Sequence, residues 1–208
     1  AEACPRNDDM THVILKVSAL NDFYSTNIFD TYSVAERILS IKDFNERLKT
    51  ADYSLVNEIA RVTINGKTKN FYSFASKYCS HHRPDLFPIY DSYVEKMLLF
   101  YDKNTRFMTC KKLDLKNYQK FVSTIKGFQE AYKLEKFSLR DIDVFLWQVG
   151  KKYFPNTYGK KSKKVITDIK AEKSFKPTFA QFKKYRIMKQ PSGTIELTYE
   201  NREIVPVL

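Results

Sequence analysis

One aspartate and two lysines stand where the pattern of the chain could do chemistry. Asp91 closes the run Arg83-Pro84-Asp85-Leu86-Phe87-Pro88-Ile89-Tyr90-Asp91-Ser92. The prolines keep that run out of helix, and the apolar pattern of a new helix begins directly after the aspartate. A carboxylate set at such a point can stabilise positive charge that develops in a site with little water. It can also accept a proton from an attacking water or amine. Lys69 and Lys77 lie 22 and 14 residues before it, and a lysine amine is the nucleophile of Schiff-base chemistry. Each residue has a plainer use: an Asp before a helical run is an N-cap, and a lysine is a surface charge or a phosphate contact. The spacing leaves both readings open.

The elements that must position these residues read mainly as helices. Val13, Val17, Leu20 and Tyr24 mark one helical face over 11–24, with Thr11 placed to cap it. Ser33 with Glu36 has the form of a capping box, opening a helix whose stripe is Val34, Ile38 and Ile41. A short helix over 52–62, with Leu55, Val56 and Ile59 inward, runs into Thr63-Ile64-Asn65-Gly66, where Asn-Gly supplies a tight turn. Ser73 is then expected to cap a helix through Phe74 and Lys77 that must stop before Pro84. Residues 92–101 are apolar on nearly all sides, as in a buried helix. The stretches 115–134 and 138–154 read as amphipathic helices, the second with a capping box from Ser138 and Asp141. Short strands are expected around Tyr185–Ile187, Thr194–Tyr199 and Ile204–Val207, with turns at Pro191-Ser192-Gly193 and Glu200-Asn201. This gives a mainly α domain over about 10–155, then a basic extension over 156–208 carrying a small β element.

Composition agrees with that class. Of 208 residues 43% are hydrophobic and 15% aromatic, enough to bury a sizeable core and to exclude wholesale disorder. Only 5 are glycine, too few for the many tight turns of a sandwich or barrel. No apolar run is long enough to span a bilayer, and no secretory apolar segment follows the polar start Ala1–Asp9. A soluble cytoplasmic protein with no membrane association is therefore expected. Cys4, Cys79 and Cys110 are odd in number and widely spaced, against a disulfide framework or a zinc module. His81-His82 beside Cys79 has no second cluster to make a metal site, so no metal is expected.

The charge is localised. The net +12 divides into 22 basic and 19 acidic residues over 1–149, 13 and 2 over 150–190, and 1 and 3 over 191–208. The basic segment includes Lys151, Lys152, Lys160, Lys161, Lys163 and Lys164, interleaved with aromatics such as Tyr153, Phe154 and Tyr158. Such a surface suits a polyanion, because neutralising phosphates releases counterions. The plainer reading is a solvated lysine face. Nucleic acid is the expected partner.

Asn65-Gly66-Lys67-Thr68-Lys69, then Phe71-Tyr72-Ser73-Phe74-Ala75-Ser76-Lys77-Tyr78, then the Pro84 to Asp91 link resemble the helix-hairpin-helix DNA glycosylases, in particular the oxoguanine-glycosylase-like branch. The resemblance covers roughly residues 10–155 and is sharpest over 65–98. In that family a Gly-containing hairpin leads into a helix, and a Pro-containing link delivers a catalytic Asp to the start of the next. Here one glycine, Gly66, stands where the family usually has Gly-x-Gly, and neither Lys69 nor Lys77 begins the helix as the family's lysine does.

The resemblance implies a base-excising N-glycosylase acting on double-stranded DNA. Asp91 would face the deoxyribose, with Lys69 or Lys77 as the nucleophile if strand cleavage accompanies excision. Gly66 and Lys67 would lie on the phosphate backbone, and Phe23, Tyr24, Phe145 and Trp147 would hold the everted base by stacking. It calls for no cofactor and for a monomer. A second reading is a nucleic-acid-binding module of the same fold without chemistry, using the basic segment and its aromatics. A role against foreign or phage DNA suits either. Asn21 and Thr26 are expected to satisfy backbone groups near the end of the first helix rather than to line a pocket.

Overall fold

The computed structural model describes residues 5–154 with their side chains, together with the backbone of three strands at Tyr185–Lys189, Ile195–Tyr199 and Ile204–Pro206. Over the first range the chain is mainly helical. The helices are α1 (Met10–Phe23), α2 (Thr31–Leu39), α3 (Phe44–Lys49), α4 (Ser54–Ala60), α5 (Tyr72–His82), α6 (Ser92–Thr105), α7 (Tyr118–Ala131) and α8 (Leu139–Tyr153), with one 3-10 turn at Asp114–Lys116. Between α4 and α5 lies a two-stranded antiparallel hairpin, β1 (Arg61–Ile64) and β2 (Lys67–Asn70). The strands β3 (Tyr185–Lys189), β4 (Ile195–Tyr199) and β5 (Ile204–Pro206) form an antiparallel meander with Tyr185 opposite Tyr199 and Leu197 opposite Val205. The turns expected at Pro191-Ser192-Gly193 and Glu200-Asn201 lie outside the described residues, as do Lys160, Lys161, Lys163 and Lys164.

Helix starts correct several expected caps. Asp9, not Thr11, caps α1 by accepting from the His12 amide at 2.9 Å. Asp30, not Ser33, caps α2, its two carboxylate oxygens taking the Ser33 amide at 3.0 Å and the Ser33 hydroxyl at 2.7 Å. Each aspartate stands two or three residues before the expected Thr11 or Ser33, and its ionised oxygens accept strongly from the free amides of the first turn. Ser73 lies inside α5, whose N-cap is Phe71 without a side-chain bond, and this frees the Ser73 hydroxyl for other partners. The capping box of Ser138 and Asp141 forms as expected at the start of α8. Asn65 and Gly66, with φ of 49° and 71°, are both left-handed, the conformation a two-residue hairpin turn demands.

The core is aromatic. Tyr78, Tyr101, Tyr118, Phe74, Phe87, Phe121 and Phe128 are fully buried among aliphatic residues from α1, α2, α4, α6 and α8. α6 reaches four residues beyond the expected Tyr101 and ends at Arg106 in left-handed geometry. Leu99 and Phe100 are only partly buried, so α6 is a half-covered helix rather than one enclosed on all sides. α8 packs along α6, α1 along α2 and α4 along α5. Between α5 and α6 the segment Pro84–Tyr90 runs without helix or strand and ends at Asp91, the N-cap of α6.

Candidate functional site

Non-regular backbone inside a packed domain must find hydrogen-bond partners outside its own segment. The arm Pro88–Tyr90 finds them in side chains from three helices. The Tyr118 hydroxyl of α7 donates to the Pro88 carbonyl at 2.6 Å, and the Ile89 amide donates to the Asp143 carboxylate of α8 at 2.6 Å. The Tyr90 amide donates to the Ser76 hydroxyl of α5 at 3.0 Å, and the Tyr90 carbonyl accepts from Ser73 at 3.2 Å. Asp91 follows directly. One of its oxygens accepts the Tyr93 amide at 2.8 Å, and among the described residues the other takes no hydrogen bond. Both readings of Asp91 thus hold in part: it is an N-cap with an oxygen to spare.

That carboxylate opens into a pocket of about 350 Å³ between the end of α1, α5, the start of α6 and α8. Phe23, Tyr24 and Trp147 supply aromatic walls, and Ile89 and Val94 apolar ones. Lys77, Arg140 and Lys151 bring positive charge, and Asp91 and Asp143 negative. Phe23 is half exposed, as a residue at a pocket mouth is, and Lys151 lies over the Trp147 ring, 4.6 Å from its centre.

Lys77 is the deepest cation. It is 6% exposed, donates to the Ser73 hydroxyl at 2.5 Å and lies 5.2 Å from the centre of the Tyr24 ring. Burial pushes its pKa below the usual lysine value, while the Asp91 carboxylate pulls it up. Amine and carboxylate share the pocket without an ion pair of their own. Ser73 joins them through the backbone, taking the lysine on one side and holding the Tyr90 carbonyl on the other. Asp143 is 2% exposed and also accepts from Arg140 at 2.7 Å; burial pushes its pKa up to about 7, with Arg140 acting against that rise. Burial raises the Tyr24 hydroxyl, which is bonded to His81 Nε2 at 3.0 Å.

The pocket gathers Asp91, Lys77, Phe23, Tyr24, Trp147 and Lys151 from the residues the sequence singles out. Five others fall elsewhere. Lys69 is on β2, a strand exposed along its whole length, so of the two candidate lysines only Lys77 reaches Asp91's pocket. Phe145 is 5% exposed within the core, because the pocket face of α8 is set by Arg140, Asp143, Val144, Trp147 and Lys151 and Phe145 falls outside it. Gly66 and Lys67 sit at the exposed hairpin turn, and Lys152 is exposed at the end of α8. Asn21 and Thr26 bond locally, the Asn21 side chain holding Thr26 and both backbone groups of Ile28.

Sequence reasoning missed Ser73, Ser76, Arg140 and Asp143. Ser73 and Lys77 stand four residues apart on one helical face, and Arg140 and Asp143 three apart, spacings that bring side chains together. A wider depression of about 610 Å³ lies around Asn7, Asp43, Asn45 and His82. Asn7 there already holds the Tyr78 hydroxyl and Lys16, and none of the residues expected for catalysis, base stacking or phosphate contact line it. The smaller pocket is the candidate site. Among the described residues no three His, Cys, Asp or Glu side chains cluster as metal ligands, and no helix is long and apolar enough to cross a membrane.

An uncharacterised protein of Haemophilus influenzae is 50% identical over 145 residues, which are 70% of this chain and 69% of the relative. The chain belongs to the family of that protein. The family model HI_0787_N, described as an N-terminal domain, matches residues 1–86, a span that holds α1 to α5, the hairpin and Lys77 and stops short of Asp91. No solved structure matches the chain.

Proposed function

We propose that this protein is a DNA-binding N-glycosylase that everts a damaged or modified base into the pocket of Asp91 and excises it. One observation carries the reading: a carboxylate with an oxygen to spare, a buried lysine and three aromatic walls share one pocket, whose lining also includes Lys151, an early lysine of the most basic stretch of the sequence. Breaking an N-glycosidic bond develops positive charge on the sugar, which the Asp91 carboxylate stabilises where water is scarce. Trp147, Phe23 and Tyr24 hold the flat base by stacking.

Lys77, its amine made easier to deprotonate by burial, attacks C1′ as the base leaves with the glycosidic electron pair. The amine gives up its proton, and opening of the sugar ring yields the Schiff base from which strand cleavage follows. If water attacks instead, Asp91 takes its proton and the product is an abasic site.

The test is release of free base from duplexes carrying oxidised, deaminated and hypermodified bases, with borohydride trapping of a covalent adduct. Asp91→Asn should lose turnover at least 100-fold with DNA affinity kept, and Lys77→Met should abolish trapping. No release from any duplex, with DNA binding intact, overturns the reading. It would leave a binding module without chemistry, for which the use of one Asp91 oxygen as a helix cap speaks.

A further inference from the structure

The arm that ends in Asp91 has no secondary structure of its own, so its place depends on the side chains that hold it. Four hold its backbone, Tyr118, Ser76, Ser73 and Asp143, while Glu95 and Lys116 hold the Tyr90 hydroxyl. Three of those four are neutral hydroxyls. Asp143 alone brings a carboxylate to the backbone, and of the four it alone lines the pocket. Its two oxygens are divided between two jobs. One accepts the Ile89 amide at 2.6 Å, two residues before Asp91, and the other accepts from Arg140 at 2.7 Å.

A carboxylate 2% exposed is costly to bury unless it is paired and fully hydrogen-bonded. An aliphatic residue would fill the same space in α8 without that cost. Both oxygens of this buried group are in use, one on the Ile89 amide and one on Arg140. Arg140 is itself a turn away on α8, so the carboxylate is anchored within one helix, and that helix packs along α6. A short bond from an anionic acceptor to a backbone amide is stronger than its neutral counterpart and tolerates less displacement.

We propose that Asp143 is the positioning residue of this site: anchored by Arg140, it grips the Ile89 amide and so fixes the arm that sets the Asp91 carboxylate opposite Lys77. The proposal rests on the glycosylase reading for its catalytic consequence, while the grip itself can be measured without any reaction. A misplacement of about 1 Å at a reacting group is enough to lose about 100-fold in rate.

The experiment compares wild type with Asp143→Leu, which keeps bulk and removes both acceptors, and Asp143→Asn, which keeps one acceptor for Ile89. Two readouts are taken on the full chain: the single-turnover rate of base release against DNA affinity, and hydrogen exchange of the Ile89, Tyr90 and Tyr93 amides by NMR. Asp143→Leu should slow base release about 100-fold with affinity changed less than threefold, and should speed exchange at Ile89 at least 100-fold. Asp143→Asn should return the rate to within about tenfold of wild type and restore most of the Ile89 protection.

Unchanged exchange at Ile89 in Asp143→Leu, or an Asn variant as slow as the Leu variant, overturns the proposal. If wild type releases no base, the glycosylase reading fails, and exchange alone decides whether Asp143 holds the arm. Should the Leu variant not fold by circular dichroism, Asp143→Ser, which shortens the side chain and admits water, takes its place with the same expectations.

Discussion

Gly150 of α8 lies so close to Tyr93 of α6 that a methyl group on it would sit 2.8 Å from Tyr93 Cβ and 2.9 Å from the Tyr93 carbonyl oxygen. Backbone cannot yield as a flexible side chain does, so this contact sets the spacing of the two helices. Tyr93 is also the residue whose amide Asp91 caps. The helix spacing and the seat of the candidate carboxylate therefore meet at one point.

Gly150→Ala is expected to push α8 away from the first turn of α6. Overpacking of this kind costs about 1–3 kcal/mol, or a fall of about 3–10 °C in thermal midpoint for a domain of this size. A midpoint within 1 °C of wild type by thermal circular dichroism would show that the two helices separate freely. In the proposed reaction the variant should also lose rate more than DNA affinity.

The hairpin makes a separate prediction. Lys67 and Lys69 lie on an exposed strand and do not line the pocket, so under the proposed function they would meet phosphates rather than the sugar. Lys67→Ala with Lys69→Ala should weaken binding to duplexes of different sequence about equally. It should also make the slope of log affinity against log salt shallower by about 1 per lysine. Fluorescence anisotropy between low and physiological salt measures both, and an unchanged slope takes the hairpin off the DNA.

How much of this was legible in the sequence depends on how local each signal is. The helices from 10 to 154 other than α3, the Asn65-Gly66 turn and the box of Ser138 with Asp141 follow from periodicity and caps, which act within a few residues. So does the break before Asp91, because Pro84 and Pro88 act on their immediate neighbours. α3 was not expected, and the helix expected over 52–62 gives way to β1 at Arg61. The caps of α1 and α2 lie two and three residues before the expected Thr11 and Ser33, because Asp9 and Asp30 are good caps too and periodicity does not choose between neighbouring starts. Choosing Lys77 over Lys69 needed the third dimension, since β2 turns Lys69 out while α5 turns Lys77 in. Asp143 was hidden most deeply: its partner amide at Ile89 is 54 residues away, and within α8 it reads as one more polar residue.

Asp102 gathers three backbone amides. Those of Met108 at 2.8 Å, Thr109 at 2.9 Å and Cys110 at 2.7 Å all donate to its carboxylate, which is 6% exposed. This bond set closes the turn after α6, where Arg106 and Thr109 are both left-handed. Asp102→Ala leaves three amides without their acceptor. The expected loss is about 3 kcal/mol, given the worth of hydrogen bonds to a charged acceptor and partial rescue by water. Urea unfolding reads it directly. A loss below about 1 kcal/mol would mean that the loop is held by its apolar contacts alone.

His82 predicts how stability depends on pH. Burial drops its pKa to about 4, with the Lys16 charge adding to the effect, against an ordinary value of 6.5. Its ring packs on Tyr78 with centres 5.3 Å apart, beside Asn7 and Lys16. Between these two pKa values the unfolded chain binds the proton and the folded one does not. The contribution is thus complete above about pH 6.5 and is lost as pH falls toward 4. Allowing for the part of the ring that meets solvent, it is worth on the order of 2 kcal/mol. His82→Gln removes the titration but leaves those of the carboxylates and His81. The stability gap between wild type and variant, measured by urea unfolding, should therefore shift by that amount in the variant's favour between pH 7.5 and pH 4.5. An equal gap at both pH values would mean that the imidazole is protonated as readily in the folded protein as in the unfolded chain.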